Sequence, residues 1–144
     1  MNRIGIVVLA AMLLVIGTVC SAAAADKTAE QMVKEAKASI KVVSIDTVKK
    51  AIDAKENVVL LDVSDRHEFE TGHLPGAINI SRGTLEFKVG IIIPEKNARI
   101  IVYCGLDLRG PLATKTLNDL GYKNVVDMTG GLMAWKEAGY PVVP

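Results

Sequence analysis

Short apolar segments alternate with segments of helical periodicity over residues 42–144, and this alternation constrains the fold more than any other feature. Residues 58–63 form an almost continuous apolar run, which is typical of a strand buried on both faces of a parallel sheet. The pattern predicts strands at 42–44, 58–63, 77–80, 99–103 and 125–128, and helices at 45–54, 65–71, 111–120 and 131–138. Strands and helices in alternation indicate a wound α/β fold.

The remaining segments are less regular. Apolar residues recur at helical spacing over 28–40, and Thr28 with Gln31 matches a capping box, so a short amphipathic helix is expected there. Glycines and a proline interrupt residues 81–97, which are predicted to form a short helix and loops. The expected organisation is a signal peptide at 1–25, an N-terminal amphipathic helix at 26–41 and one domain at 42–144.

The first 25 residues have the composition of an export signal. Arg3 supplies a positive charge, residues 4–19 are uncharged and mostly aliphatic, and residues 21–25 are small. An apolar run of about 16 residues is shorter than the roughly 20 that cross a bilayer as a helix, so cleavage is favoured over a retained anchor. We expect a periplasmic or secreted protein without stable membrane insertion after cleavage. An uncleaved, membrane-anchored N-terminus is the alternative.

Charge balance and cysteine content narrow the functional classes. The 17 Lys and Arg residues nearly balance the 16 Asp and Glu residues, and no basic cluster contains aromatic residues, so nucleic acid is not an expected partner. Of the two cysteines, Cys20 lies in the segment expected to be removed. Cys104 is then the one thiol of a mature chain in an oxidising compartment, where an unpaired cysteine without a function is disfavoured.

Cys104 follows the predicted strand at 99–103 and precedes a helix that begins near Gly110 and Pro111. A strand-to-helix loop of this kind can turn several backbone N–H groups towards one point, and the helix N-terminus adds partial positive charge. Such a cradle stabilises a thiolate relative to a thiol and can also stabilise the outer sulfur of a persulfide. Arg109 is the cation of this loop, and it is predicted to bind an oxyanion donor or to order the loop backbone.

Other roles for Cys104 have less support. A lone cysteine is commonly a small buried apolar residue, but its position and compartment favour chemistry here. Disulfide exchange usually needs a second cysteine, which the mature chain lacks. His67, His73 and Cys104 are too few and too unevenly spaced for a recognisable metal site, so neither a metal nor a cofactor is expected. Acyl transfer with a distant histidine as base stays open, without positive support.

Three segments of the sequence together resemble the rhodanese family. They are LLDVSDRHEFETGHLPGAINI at 60–80, IIVYCGLDLRG at 100–110 and GGLMAWKEAGYPV at 130–142, and the likeness extends over about residues 42–144. The resemblance implies a central five-stranded parallel sheet flanked by helices. It also implies an enzyme, a sulfurtransferase in which Cys104 takes a sulfane sulfur from a small donor such as thiosulfate and passes it to a thiol or cyanide.

The resemblance also implies an active-site loop. Four residues separate Cys104 from Arg109, which is the shorter of two loop lengths associated with this fold. The longer loop resembles phosphatases and arsenate reductases, so phosphatase-like activity is the weakest alternative. Cys104 is expected to be the nucleophile, and Arg109 to orient the loop or the donor. The backbone amides expected to stabilise the persulfide belong to Gly105, Leu106, Asp107, Leu108, Arg109 and Gly110.

Two positions depart from the family pattern. Ser64 stands where relatives usually have an arginine near the donor, and Asp107 stands where they commonly have a glycine. Asp62 and Arg66 are retained as supporting residues of the site. Both departures make the loop less favourable for an anionic donor, so we expect weak turnover of thiosulfate and a donor such as a polysulfide or persulfide. They also favour a second hypothesis, a persulfide carrier or redox-sensing module without efficient turnover. No oligomeric state is predicted.

Overall fold

The computed structural model describes residues 26–144. The export signal predicted for residues 1–25 lies outside the described residues. Over residues 26–144 the elements are, in chain order, α1 (Ala29–Ser39), β1 (Val42–Val43), α2 (Ile45–Asp53), β2 (Val59–Asp62), α3 (Arg66–Thr71), β3 (Ile78–Asn79), α4 (Leu85–Ile92), β4 (Arg99–Tyr103), α5 (Arg109–Asp119), β5 (Asn124–Met128) and α6 (Gly131–Glu137). A short 3-10 turn at Arg82–Thr84 precedes α4. In the described part of the chain, no helix has the length and apolarity needed to span a membrane.

The strands described form one five-stranded sheet in the order β1-β5-β4-β2-β3, and all neighbouring strands are parallel. The predicted α/β fold with a five-stranded parallel sheet is confirmed. The central strand β4 pairs with β2 and β5 along nearly its whole length. The edge strand β3 pairs with β2 only, and this pairing includes two residues of each strand. The strand is therefore shorter than the one predicted at 77–80.

Helices cover both faces of the sheet. Alternate residues of β4 point to opposite faces, so they belong to two separate cores. Ile100 and Val102 belong to a core formed with residues of α4 and α5. Ile101 and Tyr103 belong to a second core formed with residues of α2 and α6. Trp135 of α6 is fully buried in this second core, and its Nε1 donates a hydrogen bond to the carbonyl of Pro141 at 2.8 Å. The two cores fix β4, and with it the end of the strand that leads to Cys104.

The N-terminal helix α1 packs against α5, the helix that follows Cys104. Its predicted capping box is confirmed: the Thr28 side chain accepts a hydrogen bond from the Gln31 backbone N–H, and the Gln31 side chain accepts one from the Thr28 N–H. Ala36 is the fully buried residue of α1. This helix therefore lies against the helix of the candidate site, a placement that the sequence did not predict.

Candidate active site

Cys104 lies at the carboxyl end of β4, in the loop that leads into α5. Its side chain is 1% exposed and packs in the core that includes Val102 and Ala113. The backbone N–H of Gly110 donates a hydrogen bond to the Cys104 Sγ at 3.4 Å. Among the residues described, the other amides predicted to surround the thiol make no hydrogen bond to Sγ. The predicted interaction of those amides with the outer sulfur of a persulfide stays a prediction.

The start of α6 holds the first part of this loop. The N–H of Leu132 donates to the carbonyl of Cys104 at 2.8 Å, and the N–H of Met133 donates to the carbonyl of Gly105 at 3.0 Å. Gly131 has a φ of +61°, and a Cβ at this position would overlap the Cys104 carbonyl oxygen. The loop backbone is thus pressed against a glycine and fixed by two amides, so the direction of the Cys104 carbonyl is defined by α6.

Arg109 is bound by an acidic side chain of α3. Its Nη1 and Nη2 lie 2.6 and 2.8 Å from the two carboxylate oxygens of Glu68, and Asp65 lies 3.6 Å from Nη1. The two parallel hydrogen bonds lower the pKa of Glu68 to about 2 and raise the pKa of Arg109. Arg109 is thus paired with a carboxylate of α3, and its two predicted roles, binding an oxyanion donor or ordering the loop backbone, both stay predictions.

We expect Glu68→Gln to lower the free energy of unfolding at pH 7 by about 0.5–1 kcal/mol, because the pair is partly exposed. The folded-state pKa of Glu68 lies below its ordinary value of 4.5, so this stabilisation is present above that value and is lost as the pH falls towards about 2. Thermal unfolding from pH 7 to pH 2 should show a difference between wild type and variant that shrinks in acid. Glu70→Gln, which breaks the exposed pair with Arg66, is the control and should show a smaller difference. A Glu68→Gln difference that does not change with pH would contradict this account.

The side chain of Asp107 is 13% exposed and lies against α1. Its backbone is in the left-handed region, with φ of +58°, which is less strained for aspartate than for most residues and accounts for the glycine expected from the family pattern. Its carboxylate accepts a hydrogen bond from Nζ of Lys37 on α1 at 2.6 Å. Its carboxyl group adjoins that of Asp127, a buried residue of β5 whose side chain lies against Gly110 at the start of α5. The charge of Asp107 is therefore paired with Lys37 and lies beside a second, buried carboxyl group.

The supporting residues predicted from the sequence lie in different environments. Asp62 is buried, accepts a hydrogen bond from the Ser64 N–H at 2.8 Å, and has its pKa raised by burial. Ser64 is 2% exposed, and its carbonyl accepts a hydrogen bond from the Asn79 side chain. Arg66 lies on the exposed side of α3 and pairs with Glu70 at 2.6 Å. Asp62 thus braces the end of β2, whereas Arg66 does not join the Cys104 loop.

Apolar side chains surround the loop. Leu106, Leu108 and Met133 are each at least half exposed. A cavity of about 270 Å³ lies on the α6 side of the loop, and it is lined by Glu68, Gly105, Leu106, Leu132, Met133 and Lys136. A cavity of about 250 Å³ lies on the α1 side, and it is lined by Ala29, Glu30, Val33, Leu108, Arg109 and Leu112. A larger cavity of about 470 Å³ includes residues at the opposite, amino ends of β2 and β4 and is remote from Cys104.

Three residues lie at the loop in the structure although the sequence did not predict a role for them. Glu68 belonged to the motif at 60–80, but its pairing with Arg109 spans 41 positions and was not predicted. Lys37 and Asp127 reach Asp107 from α1 and β5. An aspartate inside the apolar strand at 125–128 was the available signal, because a buried carboxyl needs a partner.

The profile of the rhodanese-like domain matches residues 44–138. A Bacillus subtilis protein named as a sulfur carrier, YrkF, is 29% identical over 97 residues, which cover 67% of this chain and 51% of YrkF. The chain thus spans about half of that relative, and 24% and 21% of two relatives named adenylyltransferase and sulfurtransferase. The thiosulfate sulfurtransferase GlpE of Shewanella oneidensis is 28% identical over 100 residues, which cover 69% of this chain and 96% of GlpE.

Solved structures of similar proteins superpose on this chain. A Rhodopseudomonas palustris protein of unknown function, described as a possible tyrosine phosphatase, superposes with a TM-score of 0.74 at 32% identity, covering 81% of this chain and 95% of that one. The polysulfide-sulfur transferase homodimer of Wolinella succinogenes superposes with a TM-score of 0.66 at 30% identity, covering 77% of this chain and 83% of that one. The fold is thus shared with proteins named for sulfur transfer and with one named for a different reaction.

Proposed function

Because the chain belongs to the rhodanese-like domain family, we propose that it is a sulfurtransferase in which Cys104 carries the transferred sulfur as a persulfide. The Cys104 thiolate attacks the outer sulfur of the donor, a new S–S bond forms, and the donor S–S bond breaks with its electron pair leaving on the remaining thiolate. An acceptor such as cyanide or a thiolate then attacks the outer sulfur of the persulfide. Breakage of the Cys104 S–S bond regenerates the thiolate.

We further propose that the donor is a polysulfide or a low-molecular-weight persulfide rather than thiosulfate. The observation that carries this proposal is the ion pair of Arg109 with Glu68, since it occupies the cation of the loop. The charge of thiosulfate lies largely on its oxygen atoms, and binding these would need a free cation in the site, whereas the charge of a polysulfide lies on sulfur atoms, which are weak hydrogen-bond acceptors. The exposed rim formed by Leu106, Leu108 and Met133 is better suited to the apolar chain of an organic persulfide. The same pairing of Arg109 disfavours a phosphatase, which would need that guanidinium for phosphate.

Donor competition tests the proposal. With cyanide as acceptor, we expect kcat/KM for thiosulfate to be at least about tenfold below that for inorganic polysulfide, the cost of lacking one charge-assisted hydrogen bond. Glu68→Gln releases Arg109 and should narrow the gap between the two donors, whereas Glu70→Gln should leave it unchanged. Equal or better turnover of thiosulfate by the wild-type protein would refute the choice of donor.

A sulfur carrier without repeated turnover is the second candidate. Two observations favour it: Cys104 is 1% exposed, and the chain resembles a protein named as a sulfur carrier. The two functions differ in stoichiometry. When polysulfide and cyanide are both in excess, an enzyme forms many thiocyanate molecules per protein molecule. A carrier without repeated turnover forms about one per protein molecule.

Export is likewise a proposal, supported by the sequence of residues 1–25. If the protein is exported and cleaved, the chain recovered from the periplasm or the medium should begin near Ala25 or Asp26. N-terminal sequencing of that protein tests it, because a chain retained in the membrane with Arg3 still present would indicate an uncleaved anchor.

A further inference from the structure

Three charged side chains from three elements meet behind the Cys104 loop. Lys37 comes from α1, Asp107 from the loop and Asp127 from β5. The Nζ of Lys37 lies 2.6 Å from Oδ2 of Asp107, and the carboxyl group of Asp127 adjoins that of Asp107. Asp127 is 1% exposed. The sulfur-transfer reaction proposed above gives this cluster no part in the chemistry.

The hydrogen bonding of the cluster requires an additional proton. Oδ1 of Asp107 and both oxygens of Asp127 are buried, and among residues 26–144 no N–H group or hydroxyl donates to them. Two buried carboxylates side by side would repel each other, and each unpaired oxygen would lose its hydration. A proton on Asp127 removes both penalties, because the protonated carboxyl donates to Asp107 while Lys37 donates to its other oxygen. Burial, and next the charge of Asp107, raise the pKa of Asp127 to about 8.

The cluster contacts the loop at two points. Asp107 is the residue of the loop with a left-handed backbone, so its side chain holds the conformation of the turn. Asp127 lies against the start of α5, where a Cβ on Gly110 would overlap its Oδ1. Gly110 is the residue whose N–H donates to Cys104 Sγ. A change at Asp127 is therefore transmitted to the amide that contacts the sulfur.

We propose that Lys37, Asp107 and Asp127 form a proton-dependent latch that holds the Cys104 loop closed, with Lys37 and Asp127 as positioning residues for sulfur transfer. The role of this latch in sulfur transfer rests on the proposed function, whereas the existence of the latch does not depend on that function. Loss of the shared proton leaves two adjacent carboxylates against one ammonium group, and their repulsion loosens the loop. The helix α1 thereby becomes part of the machinery of the site.

The pH dependence follows from the groups that face Asp127. The charged groups are Asp107 of the loop and Lys37 of α1. The other two contacts are uncharged: the backbone carbonyl of Lys41, beside β1, accepts a hydrogen bond from the Asp127 N–H, and Gly110 of α5 lies against the Asp127 side chain. The folded-state pKa of Asp127 is above its ordinary value of 3.8. The native protein therefore keeps a proton that the unfolded chain releases, and stability falls as the pH rises from about 4 to about 8.

The first test compares the unfolding of wild type and Asp127→Asn from pH 5 to pH 9. The asparagine keeps the volume and a donor towards Asp107 but cannot titrate. We expect the ratio of the two unfolding equilibrium constants, wild type over variant, to rise by about tenfold per pH unit up to about pH 8 and then to level off. Asp62, whose pKa is also raised by burial, contributes equally to both proteins and cancels from the ratio. A ratio that does not vary with pH would overturn the latch.

The second test measures opening of the loop through alkylation of native Cys104 by iodoacetamide at pH 7. Lys37→Met removes the cation from the cluster, and we expect about threefold faster alkylation than in wild type, in keeping with the loss of one partly exposed ion pair. Lys34→Met is the matched control on the same helix, because Lys34 is exposed and forms no ion pair with the residues described. Equal rates for the two variants would contradict the role of Lys37.

A third measurement separates the latch from the proposed function. The rate of sulfur loading from polysulfide is compared in Asp127→Asn and wild type at each pH, and the ratio cancels the ionisation of the thiol itself. We expect the ratio of loading rates, Asp127→Asn over wild type, to increase above about pH 8, because the wild-type latch then loses its proton and the loosened loop no longer holds the Gly110 N–H against Sγ, although Sγ becomes more accessible to alkylation. If neither protein takes up sulfur, the proposed function fails, whereas the unfolding test still decides whether the latch exists. A loading ratio constant with pH would show that the latch does not position Cys104 for transfer.

Discussion

Cys104→Ser is expected to abolish sulfur loading and sulfur transfer while the protein stays folded. A hydroxyl is a much weaker nucleophile than a thiolate at neutral pH and cannot form a persulfide. The side chain differs by one atom, and the Gly110 N–H that donates to Sγ can donate to the hydroxyl oxygen instead. The polar atom is nevertheless placed in a core of apolar residues, so we expect a destabilisation of about 1 kcal/mol.

Intact mass spectrometry after incubation with polysulfide measures the loading, and thermal unfolding measures the fold. Cys104→Ala serves as the second variant, because it removes the sulfur without adding a buried hydroxyl. Both variants should lack activity, although their stabilities differ. If either one retained wild-type transfer activity, the sulfur would have to travel by a route that does not involve Cys104.

The largest effect on stability is expected for Gly131→Ala. A Cβ at this position would overlap the carbonyl oxygen of Cys104 and lie 2.9 Å from that of Gly105 and 3.0 Å from the N–H nitrogen of Asp107. These are backbone atoms, which cannot move aside as a side chain can, and the φ of +61° adds strain for any residue with a Cβ. We expect a loss of about 2–4 kcal/mol, or roughly 10 °C or more in Tm.

Gly90→Ala is the matched control, because a Cβ at Gly90 meets no atom within 4 Å and this residue lies inside α4. Alanine there is expected to leave stability unchanged or to raise it by less than about 1 kcal/mol. Because Gly131 presses on the loop backbone, sulfur loading by Gly131→Ala should also decrease even at temperatures at which the variant is folded. A fully active variant with wild-type Tm would show that the loop does not depend on this contact.

Local patterns were sufficient to predict most of the fold. The apolar runs at 58–63 and 99–103 became the buried strands β2 and β4, since a strand covered by helices on both faces has few polar residues. The capping box at Thr28 was also predicted, because its partners are three residues apart. The length of β3 was not, since an edge strand ends where its one neighbour stops pairing. The position of α1 was not either, because periodicity defines an apolar face but not what that face covers.

The position of Cys104 in the loop could be predicted, whereas the contacts that hold the loop could not. A strand followed by a glycine, an arginine and a helix start is a local pattern. In contrast, Arg109 meets Glu68 across 41 positions, and Lys37 meets Asp107 across 70. Such pairings depend on the relative positions of helices, which are determined by packing. The sequence therefore predicted a free cation at Arg109 as one option, and the structure places a carboxylate on it.

The central claim is that Cys104 carries sulfur, and mapping the modified residue tests it most directly. The protein is incubated with polysulfide, the excess is removed, and the persulfide is blocked with an alkylating reagent before proteolysis and mass spectrometry. The account predicts one added sulfur atom per chain, located on the peptide that contains Cys104 and lost after treatment with cyanide. A protein that stays unmodified, or that carries sulfur without a bond to Cys104, would contradict it.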